Sequence, residues 1–288
     1  MKKKNIFVLS IILAAMIFVS LPSMGQTLKK EPIERYSSNI EQVVNIDVSF
    51  RTALEAGNFS VVAYLVQTHP ELNLLTTPMK DKNGSTEPPI CIVSAKGYNN
   101  LVSYILEKYP KLVDEPCYGA DITPLYRAIT NKHADTALLL LSHNASVQLK
   151  NKYKVHHYPP IILSKVAEIF KDKETLQDLI PALLNAGTPT DVLGARSLGG
   201  EVFREDSFFV AAKNSNVNFI TVLRDELKKL GTETISSKCE VGHCYFESGE
   251  LIVNKVKNSI KKETNLLEEN GVKLVIEPIV LPNEYCAE

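Results

Sequence analysis

The sequence has no tryptophan, few glycines and prolines, and almost no net charge. Only 13 Gly and 15 Pro occur in 288 residues, which excludes a collagen-like or low-complexity chain. A hydrophobic fraction of 44% excludes disorder for the bulk of the chain. Lys and Arg (32) balance Asp and Glu (33), and we find no local basic patch. We therefore expect no nucleic-acid partner.

Motifs for common catalytic chemistry are also missing. The chain contains no G-x-S-x-G, no G-x-x-x-x-G-K-[ST] and no H-E-x-x-H. The stretch from Gly194 to Gly200 is interpreted as a flexible loop, because no predicted strand precedes it as a phosphate-binding loop requires. We expect a non-catalytic protein without a cofactor. The alternative is an enzyme whose active site lies after Gly231, where Glu240, His243 and Glu247 cluster.

The N-terminus has the pattern of a secretory signal. Lys2 to Lys4 precede an apolar run from Ile6 to Leu21, and small residues at Ser23 and Gly25 mark a cleavage site before Gln26. The run is short for a membrane span, although an uncleaved anchor is the alternative. We predict a signal peptide over 1–25, a linker over 26–45, a periplasmic or secreted protein, and no stable membrane insertion after cleavage.

Export decides how the five cysteines are interpreted, because an oxidising compartment favours disulfides. Cys239 and Cys244 flank Gly242, which permits a turn, and we predict a disulfide between them. A zinc site that includes His243 is the alternative, but its spacing matches no common pattern and we predict no metal site. The sequence leaves the partners of Cys91, Cys117 and Cys286 open.

A repeat organises the middle of the chain, and its clearest copy begins at Thr123. Thr123-Pro124-Leu125-Tyr126-Arg127-Ala128 is close to the signature T-P-L-H-x-A. A second predicted helix ends at Leu140-Leu141, and Asn144 follows where a left-handed cap is expected. Thr123 suits the N-cap of the first helix, and Pro124 suits its first turn.

Further copies follow the same frame. Pro89 lies 35 residues before Pro124, against an ankyrin period of about 33. Gly97-Tyr98 and Gly57-Asn58 each precede a second apolar helix. Looser units start at Pro160 and Asp206, and a degenerate sixth one ends near Gly271.

These motifs resemble the ankyrin-repeat family over residues 46–230, and a generic array of helical hairpins is the competitor. The resemblance implies an all-α fold, a solenoid of stacked helical hairpins with a degenerate C-terminal capping segment over 231–288. Leu140 should then lie buried between repeats three and four.

Ankyrin-like proteins are chiefly protein-binding scaffolds, so the resemblance implies a partner protein held on a concave surface of inner helices and hairpin tips. The inner-helix positions are Ile92, Ala95 and Lys96 in repeat two and Arg127, Thr130 and Asn131 in repeat three. The tips are predicted near 80–86, 116–121 and 152–158. The candidate partner-binding residues are Tyr98, Tyr118, Arg127, Thr130, Asn131, Tyr153, His156, His157 and Tyr158. A periplasmic immunity or accessory protein is one concrete version of this hypothesis.

Overall fold

The structure, a computed structural model, describes residues 46–80, 85–117, 122–147, 162–190, 194–198, 201–243 and 259–278. The predicted signal peptide and linker therefore lie outside the described residues. Within the described ranges, no helix is both long enough and apolar enough to cross a membrane.

In these ranges the helices form five successive hairpins. The first helices of the pairs are α1 (Ile46–Glu55), α3 (Pro89–Lys96), α5 (Pro124–Thr130), α7 (Ile162–Ile169) and α9 (Ser207–Lys213). The second helices are α2 (Phe59–Thr68), α4 (Asn99–Lys108), α6 (Ala134–Ser142), α8 (Lys173–Asn185) and α10 (Val217–Lys229). Short 3-10 turns at Pro70–Leu72 and Pro110–Asp114 follow α2 and α4.

The hairpins stack into two rows. Helices α1, α3, α5, α7 and α9 each pack against the next one and form an inner row, while α4, α6, α8 and α10 form an outer row. Leu140 on α6 is fully buried, as the repeat frame predicts. The expected helical solenoid is therefore confirmed.

Local signals set the ends of these helices. The Thr123 hydroxyl accepts a hydrogen bond from the Tyr126 N–H at 3.3 Å, and Pro124 is the first residue of α5, both as predicted. Asn144 adopts a left-handed conformation with φ 62° just after α6, which confirms the predicted cap.

Neighbouring hairpins are coupled where the first helix turns into the second. The Tyr98 ring packs on Gly57 and the His133 imidazole packs on Gly97, so closely that a Cβ at either glycine would collide with the ring. Both glycines also have positive φ, +68° and +75°. In the fifth hairpin Asn216 plays the same part, since its amide donates to the carbonyl oxygens of Ala167 (2.8 Å) and Phe170 (2.7 Å).

A sheet in the last third of the chain was not expected. Strands β3 (Gly194–Leu198), β4 (Glu201–Glu205), β5 (Ser236–His243) and β6 (Lys273–Pro278) lie in that order. Pairing is antiparallel except between β5 and β6. The interpretation of Gly194 to Gly200 as a loop is therefore wrong, because most of it is strand β3. The sheet joins strands from both sides of the domain boundary predicted at residue 231.

One further helix and one buried carboxylate attach this sheet to the solenoid. Helix α11 (Lys261–Glu269) packs against α9, where the sixth unit was predicted. Asp206 caps α9 by accepting from the Phe209 N–H at 2.8 Å, and it also accepts from the Ser237 hydroxyl and the Lys238 N–H of β5 at 2.8 and 2.6 Å.

The structure forms a disulfide between Cys91 on α3 and Cys117, with Cα atoms 5.7 Å apart and both residues fully buried. The prediction of a turn at Gly242 is wrong, because Gly242 lies inside the extended strand β5 and pairs with Val202 of β4. An extended chain gains ~3.3 Å per residue, so β5 leads away from Cys239. The predicted Cys239–Cys244 bridge loses the turn that it needs, and Cys244 itself lies outside the described residues.

Candidate functional site

A groove of about 950 Å³ opens on the inner row of helices. It lies along α1, α3 and α5 and is bounded by a short hairpin, β1 (Met79–Lys80) paired with β2 (Thr86–Glu87). The lining residues are Asp47, Val48, Arg51, Thr52, Glu55, Leu74, Thr77, Pro78, Met79, Lys80, Glu87, Ile92, Ala95, Lys96 and Arg127.

This placement agrees with the repeat frame. Of the predicted inner-helix positions, Ile92, Ala95 and Lys96 in repeat two and Arg127 in repeat three line the same groove. Thr130 and Asn131, also predicted in repeat three, do not line it. Strands β1 and β2 flank the first predicted hairpin tip. At the second tip, the backbones of Cys117 and Ile122 pair in an isolated antiparallel β-bridge. The third tip, at 152–158, lies outside the described residues.

The floor of the groove is apolar. Leu74, Met79 and Ile92 are 5%, 7% and 4% exposed, so their side chains are also part of the hydrophobic core. A partner side chain resting on this floor would be removed from water at little cost to the protein, since the floor is held in place by the core below it.

The groove lining also contains an ion pair between a buried carboxylate and a partly exposed arginine. The Arg127 Nη2 atom lies 3.1 Å from Oε1 of Glu87, whose side chain is only 4% exposed. A buried carboxylate needs a compensating charge, and Arg127 supplies it across two successive hairpins. Arg127 keeps 27% of its side chain exposed. Arg127, a predicted partner-binding residue, therefore also has a structural contact.

The opposite wall belongs to α1. Arg51 Nε donates to Glu55 Oε1 at 2.7 Å, one turn along the helix. The Arg51 Nη1 atom donates to the Met79 carbonyl oxygen at 3.2 Å, which links α1 to the β1–β2 hairpin. These contacts hold the wall and the hairpin in a fixed relation.

Three other candidate residues have local structural contacts. The Tyr98 hydroxyl donates to the Glu55 carbonyl oxygen at 3.2 Å while its ring packs on Gly57, so Tyr98 joins the first two hairpins. The Thr130 hydroxyl donates to the Tyr126 carbonyl oxygen at 2.9 Å, and the Asn131 amide donates to that of Arg127 at 2.8 Å. Neither Thr130 nor Asn131 is among the residues that line the groove.

The remaining candidates, Tyr118, Tyr153, His156, His157 and Tyr158, lie outside the described residues. Sequence reasoning missed the contributions of α1 and of Glu87. If Gly57 is aligned with Gly97, Thr52 and Glu55 fall at the repeat positions of Ile92 and Ala95. The repeat frame could therefore have found the α1 wall. No comparable signal points to Glu87, which lies on strand β2 between the first and second helical hairpins.

The C-terminal segment shows a charge network on its sheet. Lys238 Nζ lies 2.9 Å from a carboxylate oxygen of Glu240 and 2.9 Å from one of Glu277. The side chain of His243 and the whole of Glu247 lie outside the described part. Among the side chains that the structure describes, no three His, Cys, Asp or Glu converge to hold a metal ion.

Comparison with known families agrees with the inner-row geometry. The family model for ankyrin repeats (3 copies) matches residues 50–151, which cover most of the first helical hairpin and all of the second and third. Ankyrin repeats are generally scaffolds for protein–protein interaction and typically are not catalytic. A search of curated proteins finds no match.

Proposed function

We propose that this protein is an exported, non-catalytic scaffold that binds a partner protein in the groove on α1, α3 and α5. The observation that carries the proposal is the position of the groove. It is lined by the inner helices of the three hairpins that match ankyrin repeats, and repeats of this kind generally bind other proteins.

The form of the groove supports a protein as its occupant. Its apolar floor is surrounded by charged side chains from α1, the hairpin and α3, as protein interfaces combine an apolar centre with a polar rim. Arg127 lines the groove and is partly exposed, and arginine is enriched among the residues that dominate binding energies.

Two observations support export. The N-terminal pattern of Lys2 to Lys4, the apolar run and small residues before Gln26 is typical of a secretory signal. The Cys91–Cys117 bridge suits an oxidising compartment, because such bridges are rare in proteins kept in reducing surroundings.

Photo-crosslinking tests the binding site. The protein is prepared with p-benzoylphenylalanine in place of Thr77 in the groove and, as a control, in place of Tyr64, which is 64% exposed on α2. Both variants are irradiated with the exported fraction of the source cells. We expect a protein adduct at position 77 that position 64 does not form. The same adducts at both positions, or none at position 77, would overturn the proposal.

A more specific version is that the protein acts as a periplasmic immunity or accessory protein. The captured partner should then be a toxin or an enzyme. Its activity, assayed with increasing amounts of this protein, should change in proportion to the complex formed. An unchanged activity contradicts this version and leaves the scaffold proposal in place.

A further inference from the structure

The elements that line the groove differ in charge. On α1, Arg51 is paired with Glu55 at 2.7 Å, and Asp47 adds a negative charge. The other elements supply three cations: Lys80 from the β1–β2 hairpin, Lys96 from the end of α3 and Arg127 from α5. Glu87 also lines the groove and pairs with one of these cations, Arg127.

Glu87 neutralises only one of these three cations, Arg127. Its side chain is 4% exposed and its charge compensates Arg127 at 3.1 Å. Lys80 and Lys96 are both exposed. Neither lysine forms an ion pair with any residue in the described ranges. Two positive charges without an ion pair among the described residues therefore line the groove together with Arg127.

Apolar surface accompanies these cations. Ile92 and Met79 belong to the groove floor, and Lys96 lies one helical turn beyond Ile92 on the same helix. A ligand that reaches the lysines thus passes over an apolar strip. This combination suits a peptide segment with carboxylates beside an apolar side chain, because carboxylates pair with arginine and lysine while the apolar group covers the floor.

We propose that the groove recognises an acidic segment of its partner, with carboxylates against Lys80 and Lys96 and an apolar side chain over Ile92 and Met79. The inference rests on the proposed function and specifies the chemistry of the partner. Charge complementarity of this kind raises the association rate and rejects basic competitors.

Three fluorescent peptides of equal length test the inference. Each alternates leucine with a second residue type: glutamate in the acidic peptide, glutamine in the neutral one and lysine in the basic one. Fluorescence anisotropy with the purified full chain should show the acidic peptide binding at least about tenfold tighter than the neutral one, and this advantage should shrink at high salt. Equal binding of the neutral peptide, tighter binding of the basic peptide, or no binding of the acidic one would overturn the inference.

Variants locate the effect. The double change Lys80→Gln and Lys96→Gln should weaken the acidic peptide about tenfold, since two positive charges that line the groove are lost. Lys111→Gln, an exposed lysine in the 3-10 turn after α4, is the matched control and should leave binding unchanged. Equal losses in the control and the double variant would contradict the inference.

A second readout is independent of affinity. A carbodiimide joins an amine to a carboxylate without a spacer, so mass spectrometry should find the acidic peptide linked to Lys80 or Lys96 and not to Lys111. Links at Lys111 alone would contradict the assignment. The photo-adduct at position 77 separates the two proposals: if the partner segment linked there is neutral or basic, this inference fails while the scaffold function stands.

Discussion

The ion pair between Arg127 and Glu87 offers a sharp test of how the groove is built. Changing Arg127 to Met removes the charge and keeps most of the aliphatic stem, so the main effect is an uncompensated carboxylate on Glu87. Breaking a fully buried pair in this way costs roughly 3–5 kcal/mol. Because Arg127 is 27% exposed, water screens part of the interaction, and we expect a loss of about 2–3 kcal/mol in the free energy of unfolding.

The assay is urea denaturation followed by far-ultraviolet circular dichroism. Arg127→Met combined with Glu87→Gln should recover part of the lost stability, since no lone charge remains. Lys229→Met is the control: Lys229 pairs with Glu226 but is 69% exposed, and its change should cost no more than about 0.5 kcal/mol. If Arg127→Met costs no more than this control, or if the double variant is less stable than the single one, the pair does not hold the groove as described.

Four further predictions concern the solenoid and its attachment to the sheet. Leu140→Ala should lower the free energy of unfolding by roughly 2–5 kcal/mol, because Leu140 is fully buried; a loss typical of surface changes in urea denaturation would refute the repeat frame. Gly97→Ala should cost more than Gly187→Ala in the same assay. Both glycines have positive φ, but a Cβ at Gly97 would lie 2.4 Å from His133 Nδ1, whereas nothing lies within 4 Å of one at Gly187; equal costs would contradict the close contact. Replacing Cys91 and Cys117 together by Ser should cost about 3–4 kcal/mol in the loop-entropy account, and non-reducing peptide mapping should find the two cysteines linked; free thiols at both would refute the bridge. Burial raises the pKa of Asp206 from 3.8 to about 6, so its contribution to stability is full below about pH 4 and is lost as pH rises through 6. This loss, about 3 kcal/mol in the free energy of unfolding, should disappear in Asp206→Asn. If the free energy of unfolding differs between pH 4 and pH 7 by the same amount in Asp206→Asn as in the unchanged protein, Asp206 is not the group.

Features with a local cause could be predicted from the sequence. Thr123 caps α5 and Asn144 takes the left-handed turn because each depends on a few neighbouring residues. The period of the repeat then placed Ile92 and Arg127 on one surface, since equivalent positions of stacked units face the same way.

Features that join distant parts of the chain could not be predicted in this way. Glu87 lies 40 residues before its partner Arg127, and no periodicity relates a hairpin residue to a helix of the next repeat. Strand β4 pairs with β5 from beyond helix α10, and the register depends on tertiary contacts rather than on a local pattern.

The disulfide illustrates a third kind of difficulty. Cys239 and Cys244 are near in sequence, but β5 is extended where a turn was expected. Cys91 and Cys117 are 26 residues apart, yet stacking of the second and third hairpins brings their Cα atoms to 5.7 Å. Proximity in the folded chain decides which cysteines pair, and five cysteines allow many pairings.

The central claim is that the inner groove binds the partner protein. Thr52 in the groove and Thr68 on α2 are both exposed, and each hydroxyl donates to the carbonyl oxygen four residues earlier, at 2.7 and 2.9 Å. Titration calorimetry with the captured partner should show that Thr52→Arg weakens binding more than tenfold, because a long side chain fills the groove, while Thr68→Arg changes it less than about twofold. Equal affinities for the two variants, with both proteins folded, would contradict the claim.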